Sequence, residues 1–177
     1  MLHTRDKPLS ARYSLMTTGM AAGQFMQEPE ALFSQRRQIL PEDTDSHGIV
    51  YSPRIANCVV EIVEAWFAER LSVDLHADGP RMVFASLSCT FLSPMRPGDM
   101  LEIRVALGRV GRSSLGFEIV GHREADDRLC WMAETVCVFI DAETFKSRLI
   151  PEELRAALQA EVDLAIRFPF GDRTLAS

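Results

Sequence analysis

No stretch of the chain approaches the roughly 18 consecutive apolar residues that a membrane-spanning helix needs, so the sequence reads as a protein with no membrane role. There is no Cys-x-x-Cys pair either. Cys58, Cys89, Cys130 and Cys137 sit singly among apolar neighbours, which favours buried free thiols over disulfides and a reducing, cytoplasmic setting. His3, His76 and His122 have no ligand-like spacing with acids or cysteines, so no metal site is expected. Arg5, Lys7 and Arg12 are not followed by the continuous apolar core of a secretory signal. Nor is there an excess of positive charge. A net charge of −6 argues against a nucleic-acid partner, while leaving room for a local basic patch that takes a small anion. Internal repeats are absent, and no linker interrupts the chain after residue 34.

What is present is the balance of an ordinary globular protein: 47% apolar and 25% charged residues over a length of 177, which suits one domain. Residues 1–33 differ from the rest. They are small, polar and weakly periodic, and read as a flexible N-terminal extension; Met16, Met20 and Met26 offer later starts within it. From Ser34 the pattern tightens. "SQRRQIL" predicts a short strand leading into an acidic turn. A long helix follows, with Ser52 expected as N-cap and Pro53 at the first helical position. Arg54, Asn57, Glu61 and Glu64 step by three and four and form one narrow polar stripe. Ile55, Val59, Ile62 and Trp66 flank it on one side, Ala56, Val60, Val63 and Phe67 on the other. A helix that is apolar around most of its circumference is covered on several sides.

Four strands come next. "VFASLSCTFLSP" alternates, placing Val83, Ala85, Leu87, Cys89 and Phe91 on one face. "MLEIRVALGRV", "LGFEIVGHR" and "RLCWMAETVCVFID" follow, separated by the turns "GRSS" and "EADD". Short turns between strands imply an antiparallel meander. "IPEELRAALQAEV" closes the pattern as a helix, with Pro151 near its start and acids in its first turn. One long early helix against one antiparallel sheet is an α+β architecture.

The segment "PEDTDSHGIVYSP" carries the chemistry. Asp43 and Asp45 stand just before the long helix. They are either turn acids at a helix start or a carboxylate delivered to the unpaired N–H groups of a helix N-terminus, where developing negative charge is stabilised. This segment, with "CTFLSPMRPGDMLEIRV" and "CVFIDAETFKSRLIPEEL", resembles the hotdog-fold acyl-CoA thioesterases, and most nearly the 4-hydroxybenzoyl-CoA thioesterase type. That branch carries Asp-x-Asp-x-x-Gly-x-Val-aromatic before its central helix; Asp43, Asp45, Gly48, Val50 and Tyr51 match it position by position. The resemblance covers about residues 34–155 and assigns 34–177 to one hotdog thioesterase domain with a C-terminal helix and tail.

The resemblance implies that Asp45 is the catalytic carboxylate, as nucleophile or as base. It implies that the backbone N–H of Ser52 takes the thioester carbonyl, and that Gly48 and Tyr51 shape the site. Arg112, and less directly Arg109, would hold the phosphates of coenzyme A, with Lys146 and Arg148 as weaker candidates. Substrate would be an acyl-CoA; no cofactor is implied; the assembly would be a homodimer or homotetramer with its site between subunits. The chain departs from the pattern twice. Ser52 stands where many relatives place a histidine, and Val60 where many carry a glutamate, with Glu61 one step away. The first departure argues against the short-acyl branch of the Tol-Pal system and leaves the aryl-CoA branch, whose aromatic-x-Pro pattern Tyr51–Ser52–Pro53 fits. Asp43 reads as a structural turn acid. His47 as a base, and Glu61 or Glu64 as residues of a partner's pocket, are weaker readings. A non-catalytic acyl-CoA-binding hotdog protein remains an alternative function, and an enoyl-CoA hydratase a further one; the His-x-x-x-Gly-x-Pro element of the latter is missing.

Overall fold

The computed structural model describes residues 33–75 and 81–167. The expected extension lies outside the described residues, apart from Phe33. Among the described residues the order is β1 (Phe33–Gln38), a 3-10 turn (Pro41–Asp43), α1 (Ser52–Leu71), β2 (Met82–Phe91), β3 (Met100–Val110), β4 (Ser114–Arg123), β5 (Arg128–Phe139) and α2 (Glu152–Arg167). The five strands form one antiparallel sheet in the order β1-β3-β4-β5-β2, so β1 and β2 are its edges. This is the hotdog arrangement: one long helix held in the curve of one antiparallel sheet.

Alternation builds the core. Leu101, Ile103, Val105 and Leu107 of β3 are buried together with Leu115, Phe117 and Ile119 of β4 and Ile55, Val59, Ile62, Val63, Trp66 and Phe67 of α1. Both apolar flanks of the helix are thus used, and the polar positions Arg54, Asn57 and Glu61 stay exposed. At the helix C-terminus Trp66 and Phe67 meet Phe117 edge-on, with ring centroids 5.1 and 6.0 Å apart. Such offset contacts add to area burial for rings of this size. α2 packs against β3, with Leu158 and Val162 in the main core. Arg70 near the end of α1 pairs with Glu161 at 2.8 Å and ties the two helices. The four cysteines are all free, and only Cys89 is more than marginally accessible.

Two sequence expectations are corrected. Val83 does not share a face with Leu87, Cys89 and Phe91, because the β2–β5 register shifts between Phe84 and Ser86. A bulge turns the parity of every residue beyond it. Ser52 is not the N-cap. Tyr51 occupies that position with extended backbone and no side-chain cap bond, and Ser52 and Pro53 are the first two helical residues. Pro53 is tolerated there because first-turn N–H groups have no intrahelical partner anyway.

Candidate functional site

The acid segment is folded tightly against the start of β3. Ile39 N–H donates to the Asp99 carbonyl (2.8 Å), Gly98 N–H to the Ile39 carbonyl (2.9 Å) and Val50 N–H to the Met95 carbonyl (3.0 Å). Within the segment, Thr44 bridges Val50, Asp45 N–H donates to the Ile49 carbonyl (2.9 Å) and Gly48 N–H to the Asp45 carbonyl (3.0 Å). Gly48 sits at φ +71°, in the region that L side chains avoid. No atom lies within 4 Å of where a Cβ would go, so backbone conformation and not space demands the glycine. Gly48→Ala should therefore cost about 1 kcal/mol of stability, measurable as a small shift in the chemical-denaturation midpoint. A loss of several kcal/mol would mean that something else packs there.

The two aspartates have different surroundings. Asp43 is only 5% exposed. Its Oδ2 accepts the Leu40 N–H (3.0 Å), its Oδ1 faces the guanidinium groups of Arg37 (3.5 Å) and Arg54 (3.8 Å), and its carbonyl accepts the Tyr51 N–H (2.9 Å). Every polar atom of that acid is engaged in holding the segment. Asp45 is half-buried. Its Oδ1 accepts the His47 N–H (2.8 Å), and Oδ2 has no partner among the described residues. The His47 ring is exposed.

At the helix start the Tyr51 N–H is taken by Asp43 and the Arg54 N–H by the Tyr51 carbonyl (2.8 Å), while Pro53 has no N–H. Among the described residues nothing accepts the Ser52 N–H. It is therefore the available donor at the positive end of a twenty-residue helix. The Tyr51 ring is 54% exposed beside it, with Leu40 and Leu92 also exposed. Asp45, Gly48, Tyr51 and Ser52 thus share one short piece of chain.

Arg109 and Arg112 do not join them within the subunit. Both are exposed, at and just beyond the far end of β3, whereas the acid segment is pinned to the residues before Met100. At about 3.3 Å per residue an eleven-residue strand separates the two ends by on the order of 30 Å. The turn that carries Arg112 is well anchored. Its carbonyl accepts the Ile150 N–H (2.9 Å) and the Arg155 guanidinium (3.1 Å). Lys146 and Arg148 belong to the same end, where the Asp141 N–H donates to the Lys146 carbonyl and the Arg148 N–H to the Phe139 carbonyl.

Sequence reasoning missed Arg37. It lies on β1, 2.6 Å from Glu61 of α1 and 3.5 Å from Asp43. The signal was parity: Phe33, Gln35, Arg37 and Ile39 are the more buried positions of that segment, so an arginine occupies an inward place between apolar anchors. Cys58 sits below it; burial pushes that thiol up to about 11, against the pull of the guanidinium. It is no nucleophile at neutral pH. Glu64 lies half-buried on the same helix. Among the described residues, no three His, Cys, Asp or Glu side chains group as metal ligands would, and no helix is long and apolar enough to cross a membrane.

Residues 39–158 match the model of the thioesterase-like superfamily. A protein from Pseudomonas aeruginosa of known crystal structure is 25% identical, with 75% of this chain and 92% of that one aligned and a TM-score of 0.67. A 1,4-dihydroxy-2-naphthoyl-CoA thioesterase from Synechocystis is 20% identical over 75% of this chain and 98% of its own, with a TM-score of 0.64. A Staphylococcus aureus protein solved in complex with CoA is 16% identical over 81% of this chain and 89% of its own, with a TM-score of 0.68. The last two likenesses speak to the fold. No curated protein matches the sequence closely.

Proposed function

Since the chain belongs to the thioesterase-like superfamily, we propose that it hydrolyses an acyl-CoA with a bulky or aromatic acyl group to the carboxylic acid and coenzyme A. The observation that carries this reading is that one short segment at the start of α1 holds both an Asp45 Oδ2 and a Ser52 N–H that have no partner among the described residues. The thioester carbonyl oxygen would accept the Ser52 N–H, and the helix end would stabilise the oxyanion as it forms. Asp45 then acts in one of two ways. It adds to the carbonyl carbon and expels the CoA thiolate, leaving a mixed anhydride that water cleaves. Or it takes a proton from water, whose oxygen adds to the same carbon before the thiolate leaves. Both routes develop negative charge on the same carbonyl oxygen. Trapping of an acyl group on Asp45 in a single turnover marks the first.

The acyl class rests on Tyr51–Ser52–Pro53 in place of a histidine variant and on the exposed Tyr51 at the helix start. The Synechocystis relative, an aryl-CoA thioesterase, supports it. A methylene more or less changes discrimination by only roughly 1–3 kcal/mol, so several aryl esters should turn over. A substrate panel tests this: acetyl- and butyryl-CoA outperforming every aryl-CoA by a large factor removes the acyl assignment, and binding of acyl-CoA without turnover points to the non-catalytic alternative.

The reading requires a second subunit. β2 is an edge strand of ten residues, MVFASLSCTF, with no charge and no proline. Soluble proteins blunt free edges with such residues, and the opposite edge, β1, carries Arg36 and Arg37. Leu87 and Phe91 are also exposed on β2. Two copies of β2 paired antiparallel about a two-fold axis would set the Met82 end of one subunit beside the Phe91 end of the other. The Met82 end carries Arg112, because Met82 pairs with Phe139, whose N–H donates to the Ser113 carbonyl (2.8 Å). The Phe91 end carries Asp45, through Met95 and Val50. Arg112 of the partner subunit would thus meet the CoA phosphates at a site whose acid it does not share.

Arg112→Ala should raise KM for acyl-CoA with kcat nearly unchanged, and the difference from wild type should shrink with salt. Mixing Arg112→Ala chains with Asp45→Asn chains should restore a site with wild-type KM, because half of the dimers then hold one intact pair. A stable monomer at micromolar concentration in sedimentation, or no recovery on mixing, sinks the shared site.

A further inference from the structure

We propose that Arg37 is a positioning residue for this site: acting through Asp43, it fixes the backbone at Tyr51–Ser52 against which Asp45 works. The inference rests on the thioesterase reading and extends it to a residue on another strand.

Four charged groups form a chain from helix to strand to turn and back to the helix. Glu61 of α1 accepts from Arg37 at 2.6 Å; Arg37 lies 3.5 Å from Asp43 Oδ1; and Arg54, in the first turn of α1, lies 3.8 Å from the same oxygen. Arg54 also donates to the Glu42 carbonyl at 3.2 Å. Asp43 is the junction. One carboxylate oxygen holds the Leu40 N–H, the other faces both arginines, and its carbonyl holds the Tyr51 N–H immediately before Ser52. Arg37 is the nearer of its two cations and the better shielded, with a side chain 30% exposed against 44% for Arg54. A carboxylate buried this deeply is destabilised when the nearer of these cations is removed and only Arg54, farther and more exposed, is left. Asp43 would then turn or draw water, and the carbonyl that orients Tyr51 moves with it.

A purely stabilising role is the competing account. Arg37–Glu61 on its own is an exposed pair of the kind that contributes little. What separates the two accounts is the direction of the link. Arg37 touches neither Ser52 nor Asp45, yet a single residue, Asp43, connects it to the Tyr51 amide. Catalytic geometry is far more sensitive to such a shift than global stability is, because a displacement of about 1 Å can cost on the order of 100-fold in rate. A cavity of about 230 Å³ opens beside the guanidinium, lined by Gln35, Cys58, Ile62 and Ile103 among others. Replacement of Arg37 therefore overpacks nothing.

The test uses Arg37→Met, Arg37→Lys and Glu61→Gln in the full chain. Arg37→Met should lower kcat by on the order of tenfold or more while KM for acyl-CoA stays within about twofold, since ground-state contacts are untouched. Arg37→Lys should recover part of the loss, and Glu61→Gln should cost less than Arg37→Met. Hydrogen exchange gives a readout independent of turnover. The Tyr51 amide should exchange faster in Arg37→Met while core amides of β4 keep their protection. If wild-type protein hydrolyses no acyl-CoA, the functional reading fails and the Tyr51 amide still decides whether Arg37 orders the segment. Unchanged Tyr51 exchange, a change in KM alone, or equal loss of protection at Tyr51 and throughout β4 overturns the proposal.

Discussion

Asp45→Asn should lower turnover of acyl-CoA by on the order of 100-fold or more, the scale of a lost acid–base or nucleophilic group. The substitution is well suited to the question. Asp45 Oδ1 accepts the His47 N–H at 2.8 Å, and an asparagine keeps that acceptor, so the tight segment from Thr44 to Val50 should hold its shape. What changes is the other carboxylate oxygen, which has no partner among the described residues and which the proposed reaction uses. The Ser52 N–H remains, and so does binding of a non-hydrolysable acyl-CoA analogue. Asp43→Asn should behave in the opposite sense. It keeps an acceptor for the Leu40 N–H but leaves Arg37 and Arg54 facing a neutral amide, at a cost of roughly 1–3 kcal/mol of stability and a smaller loss of turnover. Side-by-side kcat and denaturation measurements on the two variants distinguish the roles. Near wild-type turnover in Asp45→Asn, together with abolition in Asp43→Asn, Glu61→Gln or Glu64→Gln, would reduce Asp45 to a turn residue.

Much of the fold was legible in the sequence because the chain is locally consistent. β3 runs over Met100–Val110, the span that the alternation of Leu101, Ile103, Val105 and Leu107 marks out, with Pro97 and Gly98 before it and Gly111 after it. The long helix announced itself by apolar flanks on both sides of a narrow polar stripe, which a sheet curved around it covers. β2 was misread at one point for a physical reason. Alternation counts residues, and a bulge adds one without changing composition, so the extra residue near Ala85 is invisible until the partner strand is known. The helix start was misplaced by one for another reason. Serine is favoured as an N-cap because its hydroxyl accepts a first-turn N–H, and this helix starts without any side-chain cap bond.

The proposed site could be assembled from sequence only where it is contiguous. Asp45, Gly48, Tyr51 and Ser52 could be read from one run of sequence because one turn brings them together. Arg37 and Glu61 are twenty-four positions apart, and only the crossing of β1 with α1 joins them. Arg112, the residue proposed for the CoA phosphates, could not be located from sequence, because strand length decides that it lies at the other end of its own subunit. Contacts set by the fold have no signature in local spacing; the inward parity of Arg37 is the nearest thing to one.

Gly121→Ala should be the most destabilising small substitution in the sheet. Gly121 of β4 faces Trp131 of β5 in register, and a Cβ at Gly121 would stand 2.2 Å from the indole Nε1 and 2.4 Å from Cε2. Neither group can yield easily. Trp131 is fully buried in the main core, its ring is rigid, and the glycine belongs to a strand paired on both sides. Overpacking of this kind forces off-rotamer side chains or a shift of strands, at a cost of about 1–3 kcal/mol and sometimes more. For a chain of this size each kcal/mol corresponds to a fall of roughly 2–4 °C in melting temperature. Gly116→Ala is the matched control on the same strand, since its Cβ would meet only Arg109 Cβ at an ordinary 3.5 Å. Thermal melts of the two variants decide the matter: equal melting temperatures would mean that the sheet yields at Gly121 without strain, and that the indole is not what reserves the position for glycine.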